Sequence, residues 1–256
     1  METYILKVLR GIPGKQYWDE FELKIRPMEN VISSLMEIQK RPINRKGEKV
    51  TPVVWEQGCL EEVCGSCSML VNGRPRQACT ALIKPIIEKT GSNVITIAPF
   101  SKFPLVRDLV VDRTSMFENL KKVHAWIDID GPYDRGSGPK ISPEKQEIMY
   151  NLSTCMTCGC CVEGCPQVNS HSKFVGPQIF AQVRLFNANP TGKMQKSKRL
   201  QPVMGEGGVS ECGNAQNCQR VCPKDVKLLD SIAALGRDVT LETIRNLFSF
   251  KDREED

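Results

Sequence analysis

Twelve cysteines in a chain of 256 residues are the side chains best suited to chemistry, and they fall into three groups. The first has the spacing C-x4-C-x2-C, with a fourth cysteine after eleven more residues: Cys59, Cys64, Cys67 and Cys79. This is the spacing of plant-type sites, in which four thiolates hold a 2Fe-2S cluster. Gly58 and Gly65 fit the close backbone approach that such a site requires. A zinc ribbon is the alternative, but it usually presents two C-x2–4-C pairs, and Cys79 lacks such a neighbour.

The second group, "CMTCGCCVEGCP", matches the bacterial ferredoxin run C-x2-C-x2-C-x3-C-P at every position. Its ligand positions are occupied by four cysteines: Cys155, Cys158, Cys161 and Cys165. In two-cluster ferredoxins the last cysteine of a run binds the other cluster. We therefore assign Cys165 to a different cluster from the three cysteines that precede it.

The third group, "CGNAQNCQRVCP", follows the same run, but Ala215 stands at its second ligand position. With the last ligands exchanged, the middle site is a complete 4Fe-4S set: Cys155, Cys158, Cys161 and Cys222. The remaining site has three thiolates: Cys165, Cys212 and Cys218. Because a methyl group cannot bind iron, we predict a 3Fe-4S cluster here. The alternative is a degenerate site that binds no cluster.

One cysteine is left over by this assignment. Cys160 is adjacent to the proposed ligand Cys161, and adjacent residues cannot easily both reach one iron, so we interpret Cys160 as a packed thiol. Three clusters of different type indicate an electron relay, because cluster type and surroundings set different reduction potentials. We find no nucleotide-binding fold and no general acid–base pair, so we predict no catalytic residue in this chain.

The composition is that of an ordinary globular protein, with 40% hydrophobic and 25% charged residues and a net charge of +5. Neither a signal-peptide apolar region nor an apolar run of about 18 residues is found, which predicts a soluble, cytosolic protein. In a reducing compartment, closely spaced cysteines bind metal more often than they form disulfides. The mild positive charge does not by itself indicate nucleic-acid binding.

Strand signals dominate residues 1–105, which we predict to be the first domain. "YILKVLR" and "YWDEFELKI" predict a hairpin of two strands, and "NVITIAP" predicts another strand. Asn30 is a candidate helix cap, followed by Val31, Leu35 and Ile38 on one helix face. The dipeptide Asn72-Gly73 predicts a type I′ turn. These elements indicate a small sheet packed on one helix.

Helical patterns dominate residues 106–256, which we predict to be the second domain. Residues 106–127 have a helical pattern, and residues 130–143 have the composition of a loop. Ser142 and Pro143 are typical of a helix start. The basic run Lys193, Lys196, Lys198 and Arg199 is interpreted either as a solvated surface or as a loop facing anionic lipid.

The order of the three cysteine motifs, supported by "NPTGKMQKSKRL", resembles the iron-sulfur subunits of succinate dehydrogenase and fumarate reductase over essentially the whole chain. The resemblance implies an α+β protein with an N-terminal β-grasp domain of the plant-type 2Fe-2S ferredoxin kind and an all-α ferredoxin-like domain. It implies a peripheral subunit on the cytoplasmic face of the cell membrane, between a flavoprotein with covalent FAD and a membrane anchor. Electrons would pass from FAD through the 2Fe-2S, 4Fe-4S and 3Fe-4S clusters to quinone, or the reverse. Such complexes serve the tricarboxylic acid cycle or anaerobic respiration, with the dicarboxylate site on the flavoprotein.

Two positions depart from the ubiquinone-linked relatives, which typically carry Trp and His where this chain has Ser170 and Gly213. A quinone pocket built on those side chains is therefore not carried over. The sequence looks closer to the menaquinone-linked type, whose anchor is a single cytochrome b with two haems. The alternatives are a subunit of another quinone-linked enzyme, such as a glycolate oxidase or heterodisulfide reductase relative, and a structural zinc protein.

Overall fold

The computed structural model describes residues 2–128 and 139–254, with side chains as far as residue 248. The chain forms two compact units. The first comprises Met1–Arg113 and Met156–Gly164, and the second comprises Thr114–Cys155 and Cys165–Asp256. The first unit therefore includes nine residues of the second cysteine motif, 156–164, although these residues lie far along the chain from the rest of that unit.

A mixed five-stranded sheet forms the first unit, in the order β2-β1-β5-β3-β4. Its strands are β1 Thr3–Ile12, β2 Lys15–Lys24, β3 Ser68–Val71, β4 Arg74–Gln77 and β5 Val94–Ala98. The hairpin of β1 and β2 is antiparallel, whereas β1 and β5 are parallel. The expected first hairpin and the later strand are both confirmed.

Two helices, α1 Val31–Lys40 and α2 Ile83–Thr90, accompany this sheet. Asn30 caps α1 as predicted: its side-chain oxygen accepts a hydrogen bond from the Ser33 N–H at 2.9 Å. The Ser33 hydroxyl accepts in return from the Asn30 N–H at 3.0 Å. The helix face predicted to be apolar is buried in the core of the sheet: Val31, Leu35 and Ile38.

The predicted turn between β3 and β4 is confirmed. Asn72 and Gly73 have φ values of 49° and 73°, as a type I′ turn requires. The Asn72 side-chain oxygen also accepts a hydrogen bond from the Thr96 N–H at 2.7 Å, which ties the turn to β5. This hairpin is flanked by two of the proposed 2Fe-2S ligands, Cys67 before β3 and Cys79 after β4.

The helix predicted over residues 106–127 is wrong in its first part. Residues Leu105–Arg107 and Val110–Val111 form a short antiparallel pair, β6 and β7. Asp108 lies between them with φ 48°, and its carboxylate accepts hydrogen bonds from the N–H groups of Gly11 (2.8 Å) and Val54 (2.9 Å). These long-range bonds override the local helical pattern.

The described part of the second unit is mainly helical, as predicted. Its helices are α3 Thr114–Lys122, α4 Pro143–Ser153, α6 Pro177–Ala188, α7 Lys196–Met204, α8 Asn217–Arg220 and α9 Leu228–Glu254; α5, Cys160–Glu163, belongs to the first unit. Ser142 precedes α4, although its side chain makes no cap hydrogen bond. Most of the loop predicted over residues 130–143 lies outside the described residues.

The basic run, which begins just before α7 and continues into it, is divided between two environments. Its lysines remain wholly or partly exposed: Lys193, Lys196 and Lys198. Arg199 is fully buried, and its guanidinium donates hydrogen bonds to the carbonyl oxygens of His124 (3.0 Å), Trp126 (2.6 Å) and Gly192. Both interpretations of Arg199, as a solvated surface cation and as a lipid contact, are therefore wrong, because the residue joins two segments of the second unit.

Among the described residues, no helix is both long and apolar enough to cross a membrane.

Candidate iron-sulfur cluster sites

The four proposed 2Fe-2S ligands all lie in the first unit and differ in exposure. Cys67 and Cys79 are buried beside the β3–β4 hairpin. Cys64 is exposed and Cys59 is partly exposed, both on the loop that precedes β3. The hairpin therefore fixes two ligands rigidly, while the loop carries the other two near the surface.

The loop directs backbone N–H groups at the Cys59 sulfur. The N–H groups of Val63 and Cys64 each donate to Cys59 Sγ at 3.2 Å. Leu60 and Glu62 adopt left-handed conformations, with φ values of 62° and 59°, which turn the chain around the sulfur. A cluster ligand is a thiolate and can only accept hydrogen bonds, so this donor arrangement fits a metal-bound sulfur.

Cys64 has a similar environment. Hydrogen bonds from the Ser66 hydroxyl and from the N–H groups of Cys59 and Ser66 lower the pKa of Cys64 to about 6. A side chain at Gly58 would place its Cβ 2.9 Å from the Cys64 sulfur, so the predicted close backbone approach is present. Burial, by contrast, raises the pKa of the Cys79 thiol to about 12. A bound metal would supply the positive charge that holds Cys79 as a thiolate.

Arg113 is a functional candidate that the cysteine spacing does not indicate. Its guanidinium donates to the carbonyl oxygens of Gly65 and Ser66, each at 3.0 Å, and lies 3.7 Å from the Glu56 carboxylate. These two carbonyls lie between Cys64 and Cys67. Arg113 therefore holds the ligand loop in its conformation.

Gly65 is a point of close approach between the ligand loop and the second cysteine motif within the first unit. It has φ 77°, and a Cβ there would lie 3.0 Å from both Cα and Cβ of Cys158 and from the carbonyl oxygen of Met156. The expectation that Gly65 permits close backbone approach is confirmed.

We expect Gly65→Ala to lower the iron and sulfide content of the protein. The new methyl would combine the cost of a left-handed conformation, about 1–2 kcal/mol, with contacts on the Cys158 backbone. Gly73→Ala is the matched control, because Gly73 has a similar φ of 73° but nothing within 4 Å of its added Cβ. Equal iron and sulfide loss in both variants would show that backbone strain alone is responsible.

The segment that carries the second motif is anchored through Glu163 at the end of α5. The buried Glu163 carboxylate accepts hydrogen bonds from the Ser101 N–H (2.9 Å), the Ser101 hydroxyl (2.6 Å) and the Lys102 N–H (3.0 Å). Of the proposed 4Fe-4S ligands, the first unit contains Cys158 and Cys161; the second unit contains Cys155 and Cys222.

The structure brings together the residues proposed for the third site within the second unit. One small cleft is lined by all four residues: Cys165, Cys212, Ala215 and Cys218. Burial, and the nearby sulfurs of Cys165 and Cys212, raise the pKa of Cys218 to about 11. The three proposed ligands and Ala215 therefore line one cleft, as we expect for a site with a missing ligand.

Gly213 lines the same cleft and makes room for a neighbouring side chain. A Cβ at position 213 would lie 2.3 Å from the Gln167 amide nitrogen, so Gln167 occupies the space that a larger residue would take. Ser170 is exposed. Gln167 is thus a polar group at this site that the sequence motifs did not indicate.

Two family descriptions match the chain. Residues 5–118 match a 2Fe-2S iron-sulfur cluster binding domain, and residues 151–226 match a 4Fe-4S dicluster domain. A protein that combines these two domains belongs to the class of iron-sulfur electron-transfer proteins, so the chain carries 2Fe-2S and 4Fe-4S binding domains rather than structural zinc sites.

Curated relatives specify the family. The succinate dehydrogenase iron-sulfur subunit of Bacillus subtilis is 57% identical over 91% of this chain and 90% of its own length. The fumarate reductase iron-sulfur subunit of Wolinella succinogenes is 32% identical over 70% of this chain and 74% of its own. The chain belongs to the succinate dehydrogenase and fumarate reductase iron-sulfur subunit family. This membership favours the succinate dehydrogenase and fumarate reductase interpretation over the alternative of a glycolate oxidase or heterodisulfide reductase relative.

A solved structure shows the same fold. A chain of the Mycobacterium smegmatis Sdh1 complex in the apo form superposes with a TM-score of 0.74 and 23% identity, covering 99% of this chain and 98% of that one. The predicted α+β architecture, with an N-terminal 2Fe-2S domain and a helical ferredoxin-like domain, is therefore confirmed.

Proposed function

We propose that this subunit relays electrons between covalently bound FAD in a flavoprotein partner and quinone or haem in a membrane anchor, through three iron-sulfur clusters. The observation that carries the proposal is the cleft lined by three cysteines and Ala215, because generic two-cluster ferredoxins have a cysteine at the second ligand position of the run, where this chain has Ala215. The clusters, when bound, supply one-electron oxidation and reduction.

The ligand sets we propose follow the motif spacing. The 2Fe-2S cluster is held by Cys59, Cys64, Cys67 and Cys79, the 4Fe-4S cluster by Cys155, Cys158, Cys161 and Cys222, and the 3Fe-4S cluster by Cys165, Cys212 and Cys218. The donor geometry around Cys59 and Cys64 supports the first set. The N–H of Val226 donates to Cys222 Sγ at 3.3 Å, which suits a thiolate ligand there.

The chain's own residues position these sulfurs and determine their hydrogen bonding. Arg113 holds the 2Fe-2S loop, and Glu163 holds the segment of the second motif against residues 101–102. Burial of Cys67, Cys79 and Cys218 excludes water from those ligands. Hydrogen bonds and solvent exclusion at ligand sulfurs are the means by which proteins set cluster potentials.

We place the quinone end at the Ala215 cleft and favour menaquinone with an anchor of the dihaem cytochrome b type. Gly213 and Ser170 support this choice, since neither supplies the side chains typical of ubiquinone-linked relatives. The subunit would be peripheral, on the cytoplasmic face of the cell membrane. The dicarboxylate active site lies on the flavoprotein partner, and the complex acts as a succinate:quinone or quinol:fumarate oxidoreductase.

Anaerobic purification of the complete complex, followed by electron paramagnetic resonance during a redox titration, tests the proposal. We expect three cluster signals with different midpoint potentials, one of them a 3Fe-4S signal in the oxidised state. Iron and acid-labile sulfide should both be present. A complex with two complete cubanes and no oxidised 3Fe-4S signal would contradict the assignment of the third site.

A further inference from the structure

A mostly buried cation lies beside the loop that carries the proposed 2Fe-2S ligands. The side chain of Arg113 is only 15% exposed. Its two terminal nitrogens donate to the carbonyl oxygens of Gly65 and Ser66, each at 3.0 Å. These are the two residues that separate Cys64 from Cys67. The guanidinium charge is therefore held against the backbone that joins two of the proposed ligands.

Protein groups neutralise the charge of Arg113 only in part. Among the described residues, its carboxylate partner is Glu56, which lies 3.7 Å away and is 48% exposed, so solvent screens the pair. Arg10 in the same unit shows the opposite arrangement, with two buried carboxylates at 3.1 and 3.6 Å, those of Asp19 and Asp108. Arg113 thus keeps more of its positive charge than a fully paired buried arginine does.

Arg113 also has a hydrogen-bond donor that its protein neighbours leave unused. Its Nε is buried and has no hydrogen-bond partner in the described part of the chain. Buried donors in folded proteins are nearly always paired. A cluster held by this loop would bring acceptor sulfurs and a net negative charge, because four thiolates and two sulfides outweigh two ferric ions. The donor and the charge of Arg113 therefore both suit an anionic group at this site.

A neutral polar group at the same site cannot provide this charge. Gln77, at the end of β4, is fully buried, and its Oε1 lies 3.4 Å from Cys67 Sγ, while its Nε2 lies 3.6 Å from Cys160 Sγ. An amide has a dipole but no net charge, whereas a guanidinium remains fully charged at any pH that the protein tolerates. We therefore assign the main electrostatic effect to Arg113.

We propose that Arg113 raises the reduction potential of the 2Fe-2S cluster by holding a mostly desolvated positive charge against the loop between Cys64 and Cys67. The proposal rests on the ligand set of the proposed function. On reduction the cluster gains one electron from its redox partner, and no bond forms or breaks. A nearby positive charge stabilises the added negative charge, so it favours the reduced state.

Coulomb's law gives the size of the effect. A unit charge about 12 Å from the added electron, at an effective dielectric constant of about 20, changes the ratio of reduced to oxidised cluster about tenfold. For a one-electron couple this is about 59 mV. Removal of the charge at Arg113 should lower the midpoint potential by about this amount.

The test is a redox titration of the complete membrane-bound complex, with the 2Fe-2S signal followed by electron paramagnetic resonance. We expect Arg113→Gln to lower the 2Fe-2S midpoint by about 59 mV, that is, tenfold in the ratio of reduced to oxidised cluster. Arg113→Lys keeps the charge but cannot reproduce the two-pronged contact with both carbonyl groups. It should therefore retain most of the unmodified midpoint. An equal fall in both variants would reject the proposal, because loss of the carbonyl hydrogen bonds alone would then explain it.

Glu56→Gln provides a test with the opposite sign. It removes the carboxylate that offsets part of the Arg113 charge, so the 2Fe-2S midpoint should rise, by about twofold in the ratio of reduced to oxidised cluster because the pair is half exposed. A purely structural role of Arg113 predicts no rise. Should Arg113→Gln fail to retain the cluster, Glu56→Gln decides the question: a higher midpoint supports the proposal, and an unmoved or lower one rejects it.

Arg107→Gln is the matched control, because Arg107 is an exposed arginine in the same unit and its loss makes the same change in net charge. Solvent screens an exposed charge, so the 2Fe-2S midpoint should barely move. A shift as large as that of Arg113→Gln would overturn the proposal, since net charge and not position would then set the potential. The same holds if Arg113→Gln moves every cluster midpoint equally.

Failure of the proposed function gives a different result. In that case the unmodified complex itself lacks a 2Fe-2S signal, together with the matching iron and acid-labile sulfide. An unmodified complex with this signal, combined with an unmoved midpoint in Arg113→Gln, rejects the role of Arg113 alone.

Discussion

Replacing Ala215 with cysteine is expected to convert the third cluster from 3Fe-4S to 4Fe-4S and to abolish most of its oxidised paramagnetic signal. Ala215 lines the same cleft as the three proposed ligands Cys165, Cys212 and Cys218, so under the proposed ligand assignment a cysteine at this position would supply the missing fourth thiolate. Its neighbours Asn214 and Gln216 adopt the left-handed conformation, with φ values of 51° and 62°, whereas Ala215 does not. The loop geometry therefore does not depend on alanine.

The conversion should also lower the midpoint potential of the site. Each fall of about 59 mV lowers tenfold the equilibrium constant for electron transfer from a neighbouring one-electron carrier to this cluster. Quinone reduction should therefore slow. Ala215→Ser is the control, because its oxygen is a poor ligand for cluster iron and the 3Fe-4S signal should persist. An oxidised signal of full amplitude in Ala215→Cys would refute the ligand assignment.

The second large effect is expected at Arg10, which neutralises two buried carboxylates in the first unit. Arg10, Asp19 and Asp108 are 1%, 7% and 2% exposed. The guanidinium lies 3.1 Å from Asp19 Oδ2 and 3.6 Å from Asp108 Oδ2, and it donates to the Thr51 carbonyl at 2.7 Å. Arg10→Met would leave both carboxylates buried without a counter-charge, which typically costs about 3–5 kcal/mol.

Urea unfolding of the purified protein, monitored by far-ultraviolet circular dichroism, measures this loss in the free energy of unfolding. Arg45→Met is the control, since Arg45 pairs with Glu20 at 3.0 Å on the surface, where solvent screens the interaction. Its unfolding midpoint should barely move. If Arg10→Met were as mild as Arg45→Met, the buried cluster would contribute little to the stability of the 2Fe-2S domain.

Short sequence patterns correctly predicted the structural elements that depend only on neighbouring residues. The cap at Asn30, the turn at Asn72-Gly73 and the first hairpin depend on neighbours only a few residues away, and all three are confirmed. The cysteine motifs were readable because a cluster of fixed size requires ligands at fixed spacing. The family and the fold class followed from those motifs.

Long-range pairs account for what the sequence did not predict. The bond between Gly11 and Asp108 joins residues 97 apart, and it replaces the start of the expected helix with β6 and β7. Arg113 is 47 residues from Ser66, and Gln77 is 83 residues from Cys160. No periodicity or spacing marks such partners. The burial of Arg199 was missed for the same reason, since a cation in a basic run usually faces water.

Because residues 156–164 belong to the first unit, that unit cannot be completed early in biosynthesis. Domains generally fold in order as the chain leaves the ribosome. Here Glu163 and Cys160 supply contacts to Ser101 and Gln77, so the N-terminal unit is incomplete until residue 164 has emerged. A nascent chain that stops after β7 would expose the buried amide of Gln77. The 2Fe-2S domain therefore reaches its final structure only after more than half of the protein has been synthesised.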